Sequence, residues 1–187
     1  MNGFHRWYCR SDIWRQVLTQ ALIPMALDGI DLGSDLLEIG PGPRLSTDFL
    51  RQRVRSLTAV EIDPTLSESL RHRMVGTNVN VHQVDATQMP FEAGSFSAAV
   101  AFTMLHHMPS QALQDRLLAE VLRVLRPNGI FAGTDSKLSL LFRLIHLGDT
   151  MVVVDPGPFK DRLQDAGFTD ISIRENRRAF AFRARRA

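Results

Sequence analysis

Cysteine, lysine and long apolar runs are what this chain has least of. The single cysteine, Cys9, excludes an intrachain disulfide and a cysteine-based metal cluster. With no acid or base patterned near it, it reads as an ordinary thiol rather than a nucleophile. No apolar run approaches the roughly 20 residues needed to span a bilayer. The opening stretch, MNGFHRWYCRSDIWR, mixes charge with aromatic rings and lacks the apolar core of a signal peptide, so the expected location is the cytoplasm. Only Lys137 and Lys160 are lysines, and the other basic residues are arginines spread over the whole chain. That spread weakens any reading of the arginine-rich end, RENRRAFAFRARRA (174–187), as a dedicated nucleic-acid patch. The end carries six arginines and one glutamate, while the remaining 173 residues hold 16 basic and 19 acidic side chains. The alternation in AFAFRARR fits an edge strand with its arginines in water.

What the chain does have is regular alternation. Its 187 residues, 44% hydrophobic and 22% charged, suit one domain with a substantial core. Five apolar runs, DLLEIG (35–40), LTAVEID (57–63), NVNVHQVD (78–85), SAAVAF (97–102) and GIFAGTD (129–135), read as strands buried on both sides. Between them STDFLRQRV, PTLSESLRHRM and PSQALQDRLLAEVLRVLRP carry helical periodicity, the last one closed by Arg126-Pro127. Alternation of this kind implies an α/β fold, a doubly wound parallel sheet with helices on both faces. The N-terminal SDIWRQVLTQALIPMAL reads as a helix capped by Ser11 and kinked or broken at Pro24. PFKDRLQDAGF reads as a last helix stopped at Gly167, and TDISIRE with RRAFAFRARR as an antiparallel hairpin on the sheet edge, which brings the strand count to seven. The expected division is an N-terminal helical cap (1–33), a cofactor-binding half (34–135) and a substrate-side half (136–187).

The chemistry concentrates in LLEIGPGPRLSTDFL (36–50), a buried strand running through a glycine loop into a helix. Ligands of open parallel sheets sit at the C-terminal strand ends, where Gly40 and Gly42 let the backbone come close. Glu38 lies inside the first strand, Glu61 closes the second 19 residues after Gly42, and Asp85 ends the third. A carboxylate at the position of Glu61 is placed to grip ribose hydroxyls. A dinucleotide fingerprint would require glycine where Leu45 stands, and the Gly-Lys-Ser/Thr of a phosphate loop is absent. Three acids in register suit a cationic ligand without phosphate.

With these residues in view, LLEIGPGPR resembles the E-x-G-x-G-x-G motif of class I S-adenosylmethionine-dependent methyltransferases, of the broad type 11 group. The resemblance continues through VEID, VDATQMPF, FSAAVAFTMLHHMP, LRVLRPNGIFAGTD and AGFTDISI, in the expected order over residues 36–185. It implies a Rossmann-like, mostly parallel seven-stranded sheet and S-adenosyl-L-methionine as cofactor, with S-adenosyl-L-homocysteine as product. By the same resemblance Glu38, Gly40 and Gly42 belong to the cofactor site, the glycines lying beneath the methionine part. Glu61 would hold the ribose, Asp85 and the Ala86 N–H would face the adenine edge, and Ile62 would pack on its ring, with Met89 helping to enclose it. Phe102 and Thr103 would line the methionine end. The chain departs from the family pattern at Arg44, in place of the third glycine, at Ser97, in place of an aspartate, and at Asn128, in place of a glycine. Arg44 would either lie on the surface or turn inward to pair with the cofactor's carboxylate.

Methyl transfer from a sulfonium needs alignment first and a base only where the acceptor carries a proton. The candidate catalytic groups are His107, His146 and Asp149, with His106 a second-choice base and Asp135 read as an acid orienting a loop. For His146 and Asp149 the other reading is an ordinary capped helix end. The aromatic segment around Trp7 and Tyr8 reads as a lid over the cofactor or as simple helix packing. No metal ion is expected. The expected partner is a small-molecule methyl acceptor, with no membrane span and with a homodimer as a compatible assembly. Nucleic acid is disfavoured because an Asp/Asn/Ser-Pro-Pro-aromatic tetrapeptide is absent after the fourth strand. The alternative is a non-catalytic, or nucleic-acid- or protein-directed, module of the same fold.

Overall fold

The protein is described from a computed structural model covering residues 11–42 and 45–187. Ser11 caps the first helix by accepting the Trp14 N–H (3.1 Å), as the sequence predicts, and α1 runs Asp12–Val17. The helix then widens into a π segment, Leu18–Leu22, before resuming as α2, Ile23–Leu27. Pro24 has no N–H for the i−4 bond, and the chain absorbs the lost bond as a wider turn rather than a break.

The strands are β1 (Asp35–Ile39), β2 (Ser56–Glu61), β3 (Val79–Gln83), β4 (Phe96–Phe102), β5 (Leu125–Ser136), β6 (Phe168–Glu175) and β7 (Ala179–Arg186). They form one seven-stranded sheet in the order β3-β2-β1-β4-β5-β7-β6, with β7 antiparallel to both neighbours and the rest parallel. The intervening helices are α3 (Leu45–Leu50), α4 (Pro64–Met74), α5 (Gln111–Val124), α6 (Leu140–Ile145) and α7 (Pro156–Asp165). The order reverses between β1 and β4, so the C-terminal end of β1 is the switch point where such sheets bind ligands.

Period-2 alternation divides the core between the two faces. Leu37, Ile39, Ala99 and Ala101 pack on one face with Leu117, Val121 and Phe159. Leu36, Ala98, Val100 and Phe102 pack on the other with Leu18, Leu22 and Ile23.

Two expectations need correction. AFAFRARR is not an edge strand, because β7 lies between β5 and β6. Phe180 and Phe182 enter one core face while Ala179 and Ala181 enter the other, so both sides are buried. Its arginines are used internally: Arg183 donates to the Ala26 and Asp28 carbonyls (2.7 and 2.8 Å), Arg185 to Asn128 (2.7 Å), and Arg186 to Leu122, Arg123 and Leu125. The helix expected over 46–54 stops at Leu50, since Asn78 takes the Arg51 and Val54 carbonyls (2.8 and 2.9 Å) out of any helical ladder.

Two departures from the family pattern also find their reasons. Asn128 adopts φ 64°, the left-handed turn that asparagine tolerates. Ser97 accepts the Asp35 N–H (3.0 Å) and donates to the Leu32 carbonyl (2.7 Å), joining β4 to the start of β1. Among the described residues no helix is long and apolar enough to cross a membrane.

Candidate active site

A cavity of about 990 Å³ opens over the C-terminal ends of β1, β2 and β4. At one end lie the glycine loop and its acids. Gly40 and Gly42 have φ of 60° and 54°, a region closed to most side chains. The Gly40 N–H donates to the Val60 carbonyl (2.8 Å), and a Cβ there would come within 3.2 Å of Met104. At Gly42 a Cβ would meet nothing within 4 Å, because this part of the backbone borders the cavity. The Gly42 N–H donates to Glu61 Oε2 (3.0 Å), and the Asp63 N–H donates to Oε1 (3.1 Å). Glu61 is 6% exposed, and burial raises its carboxyl above the ordinary range against the pull of these donors. Asp85 holds a tight turn through the Thr87 N–H and hydroxyl (both 2.8 Å) and lines the cavity beside Ala86. Ile62 also lines it, with 65% of its surface exposed at the mouth. Phe102 and Thr103 complete this end. Thr103 is held at φ 51°, a strained conformation for a β-branched residue, by its N–H donating to the Thr134 carbonyl (2.7 Å).

Glu38 lies beneath this end and does not line the cavity. Burial pushes its carboxyl up to about 7 against the pull of the neighbouring Ser46 and Thr47 hydroxyls, and Oε2 accepts the Thr47 hydroxyl (2.7 Å). Its Oε1 is buried and has no hydrogen-bond partner among the described residues. Met89 is also absent from the cavity wall. It is packed in the core, with its N–H donating to Glu120 (2.7 Å). Arg44, Trp7 and Tyr8 lie outside the described residues.

The opposite end is imidazole-rich. The LHH that follows β4 forms a 3₁₀ turn, Leu105–His107. Buried Gln114 fixes it by donating to the Leu105 carbonyl (3.1 Å) and to the Val152 carbonyl (2.9 Å). His106 is buried, with Nδ1 2.5 Å from Oδ1 of the fully buried Asp135, whose Oδ2 accepts the His106 backbone N–H (3.2 Å). Asp135 therefore orients the turn after β4, as the sequence suggests. His146 caps the end of α6 and is buried too, with Nδ1 2.8 Å from the Phe142 carbonyl and Nε2 3.2 Å from His106 Nε2. His107, half-buried, packs its ring 4.1 Å from that of His106 at a tilt of 42°. The Asp149 N–H donates to the His146 carbonyl (2.9 Å), and Asp149 lines the same cavity.

His146 is thus both a helix end and a wall of the site, and the fold brings the three predicted catalytic positions together. Sequence reasoning missed the direct contact of His146 with His106. It also missed the wall contributed by Trp14, Leu18 and Leu22 of the N-terminal helices. The apolar periodicity of those helices was visible, but nothing in it distinguishes packing on a sheet from lining a cavity.

The family model for the type 11 methyltransferase domain matches residues 37–133. A "probable S-adenosylmethionine-dependent methyltransferase" of Mycobacterium tuberculosis is 30% identical over 84% of this chain and 55% of its own length. A ribosomal RNA small subunit methyltransferase A of Rubrobacter xylanophilus is 40% identical over 46% of this chain and 33% of its own. The chain therefore spans about half, or less, of the length of the curated relatives it matches. Among solved structures, a chain of the complex between the Haloferax volcanii Trm112 methyltransferase activator and a methyltransferase superposes with a TM-score of 0.72. That chain is 13% identical, and the match covers 100% of this chain and 98% of that one.

Proposed function

This chain belongs to the S-adenosylmethionine-dependent methyltransferases, and from that membership we propose that it methylates a small-molecule acceptor held at the histidine end of its cavity. The observation that carries the reading is the continuity of one cavity from Glu61 and Asp85 to His106, His107 and His146. Donor and acceptor ends thereby share a single open cavity of about 990 Å³, ample for a nucleoside-sized cofactor and a compact partner.

The residues present fit the cofactor. Gly42 offers backbone bordering open space, Glu61 offers carboxylate oxygens at the cavity wall, and the exposed Ile62 offers an apolar face at the mouth. Oε1 of Glu38 is an acceptor left over just beneath. When bound, S-adenosylmethionine supplies a methyl group already activated on a sulfonium, so the chain's task is alignment, which can lower the barrier by roughly 7–11 kcal/mol. In this reading Glu61 grips the ribose hydroxyls, Asp85 and the Ala86 N–H face the adenine edge, and Phe102 with Thr103 set the methionine end. His107, His146 and Asp149 present polar atoms to the acceptor, and the apolar wall from Trp14, Leu18 and Leu22 excludes water. S-adenosylhomocysteine production over a panel of small hydroxyl, amine and activated-carbon compounds tests the proposal.

A second reading, transfer to RNA, is favoured by the Rubrobacter relative. Against it, Arg183, Arg185 and Arg186 are committed to backbone carbonyls of their own chain rather than presented as a phosphate-binding stripe. Turnover on ribosomal RNA fragments with none on the small-molecule panel would favour that second reading.

A further inference from the structure

We propose that His106, His107 and His146 form a binding site for one divalent transition-metal cation of the zinc type. Oδ1 of Asp135 lies 2.5 Å from His106 Nδ1, and a carboxylate in that position takes the ring proton on Nδ1. The Phe142 carbonyl, which can only accept, lies 2.8 Å from His146 Nδ1 and fixes a proton there as well. The two Nε2 atoms then face one another across 3.2 Å.

Two nitrogens each ~2.0–2.1 Å from a tetrahedral zinc ion sit about 3.3 Å from one another, close to the observed spacing. A shared proton would bridge only two nitrogens. Here the ligand atoms of three imidazoles lie within 4.8 Å of one another, and a small side-chain adjustment of His107 completes the set. Asp135 and the Phe142 carbonyl, behind the two buried rings, supply the acceptors that hold metal-binding imidazoles in one tautomer and orientation. Three neutral imidazoles select a borderline cation over magnesium or calcium, which prefer oxygen ligands.

Three ligands leave a fourth position open, and all three histidines line the cavity. The role of that position rests on the methyltransferase reading: it takes the oxygen of a hydroxyl acceptor and releases the hydroxyl proton to solvent. The resulting oxygen lone pair forms the new O–CH₃ bond as the S–CH₃ bond breaks and its electron pair returns to sulfur.

Metal uptake is measured first without cofactor, by titrating cobalt(II) and zinc(II) into the full chain. The proposal expects one cobalt ion per chain with the intense visible bands of a tetrahedral site, displaced by zinc, at low micromolar affinity or tighter. His106→Ala and His146→Ala should each weaken uptake by more than about 100-fold, and Asp135→Asn by about 10–100-fold. Calorimetry with S-adenosylhomocysteine on the same variants reports whether they remain folded. If a histidine variant fails to bind it, His146→Gln and the wild-type cobalt spectrum carry the test. A wild-type chain that binds S-adenosylhomocysteine but takes up no metal overturns the proposal and leaves the methyltransferase reading intact. So does uptake that is unchanged in the histidine variants. Metal uptake without S-adenosylhomocysteine binding would support the site and count against the cofactor reading.

Discussion

The carboxylate end of the cavity is assembled from neighbours along the chain, whereas the histidine end joins residues far apart in it. Glu61 meets Asp63 two residues on and Gly42 19 residues back, and Asp85 meets Thr87 two residues on. His106 reaches Asp135 across 29 residues and His146 across 40. The first end is built mainly from backbone N–H groups and tight turns at neighbouring strand ends. The second exists only once α6 has packed against the turn after β4. In the proposed reading the carboxylate end serves one constant cofactor, while the histidine end can change with the acceptor without disturbing the glycine loop.

The comparison can be broken most forcefully at Glu61. In the proposed reading Glu61 accepts two ribose hydroxyls, so Glu61→Ala should cost about 3 kcal/mol or more, on the order of 100-fold in S-adenosylhomocysteine affinity by calorimetry. Wild-type affinity would remove Glu61 from the site.

At Glu38 the expected effect is on stability and has a definite sign. Its folded-state value is raised from 4.5 to about 7, so its contribution is fully present below pH 4.5 and is lost as pH rises through about 7. Urea unfolding should show the wild type losing on the order of 3 kcal/mol across that window. Glu38→Gln should flatten the slope, and parallel curves for the two proteins would contradict the buried carboxyl.

At the other end, Asp135→Asn leaves His106 without its anionic acceptor and should destabilise the fold by about 2 kcal/mol in the same assay. Cofactor affinity should change by less than about threefold, since distant sites act nearly independently. A large loss of cofactor affinity would show the two ends to be coupled.

The smallest effect on stability is expected at Gly42→Ala, where positive φ costs about 1–2 kcal/mol and no neighbour clashes. The new methyl group borders the cavity, so S-adenosylhomocysteine binding should fall while the thermal transition drops by only about 2–8 °C.

The same contrast explains what was legible in the sequence. Apolar runs, the Ser11 cap, Pro24 and Gly167 are local signals, and each marks a strand, a helix end or a helix irregularity found in the structure, while Glu61 and Asp85 line the cavity and Glu38 lies beneath it. Where reading failed, a long-range partner decided the outcome. AFAFRARR alternates as an edge strand should, but β6 pairs outside it and both its faces are covered. The helix after the glycine loop ends early because Asn78, 27 residues from Arg51, claims its carbonyl. His106 and His146 were each visible as residues, and their 3.2 Å contact was not.

The most direct test of the account is a calorimetric titration of S-adenosylhomocysteine into the wild type, Glu61→Ala and His146→Ala side by side. The wild type should bind saturably one-to-one, His146→Ala should bind nearly as well, and Glu61→Ala should lose binding. No binding by the folded wild type, or loss in His146→Ala with binding kept in Glu61→Ala, would contradict it.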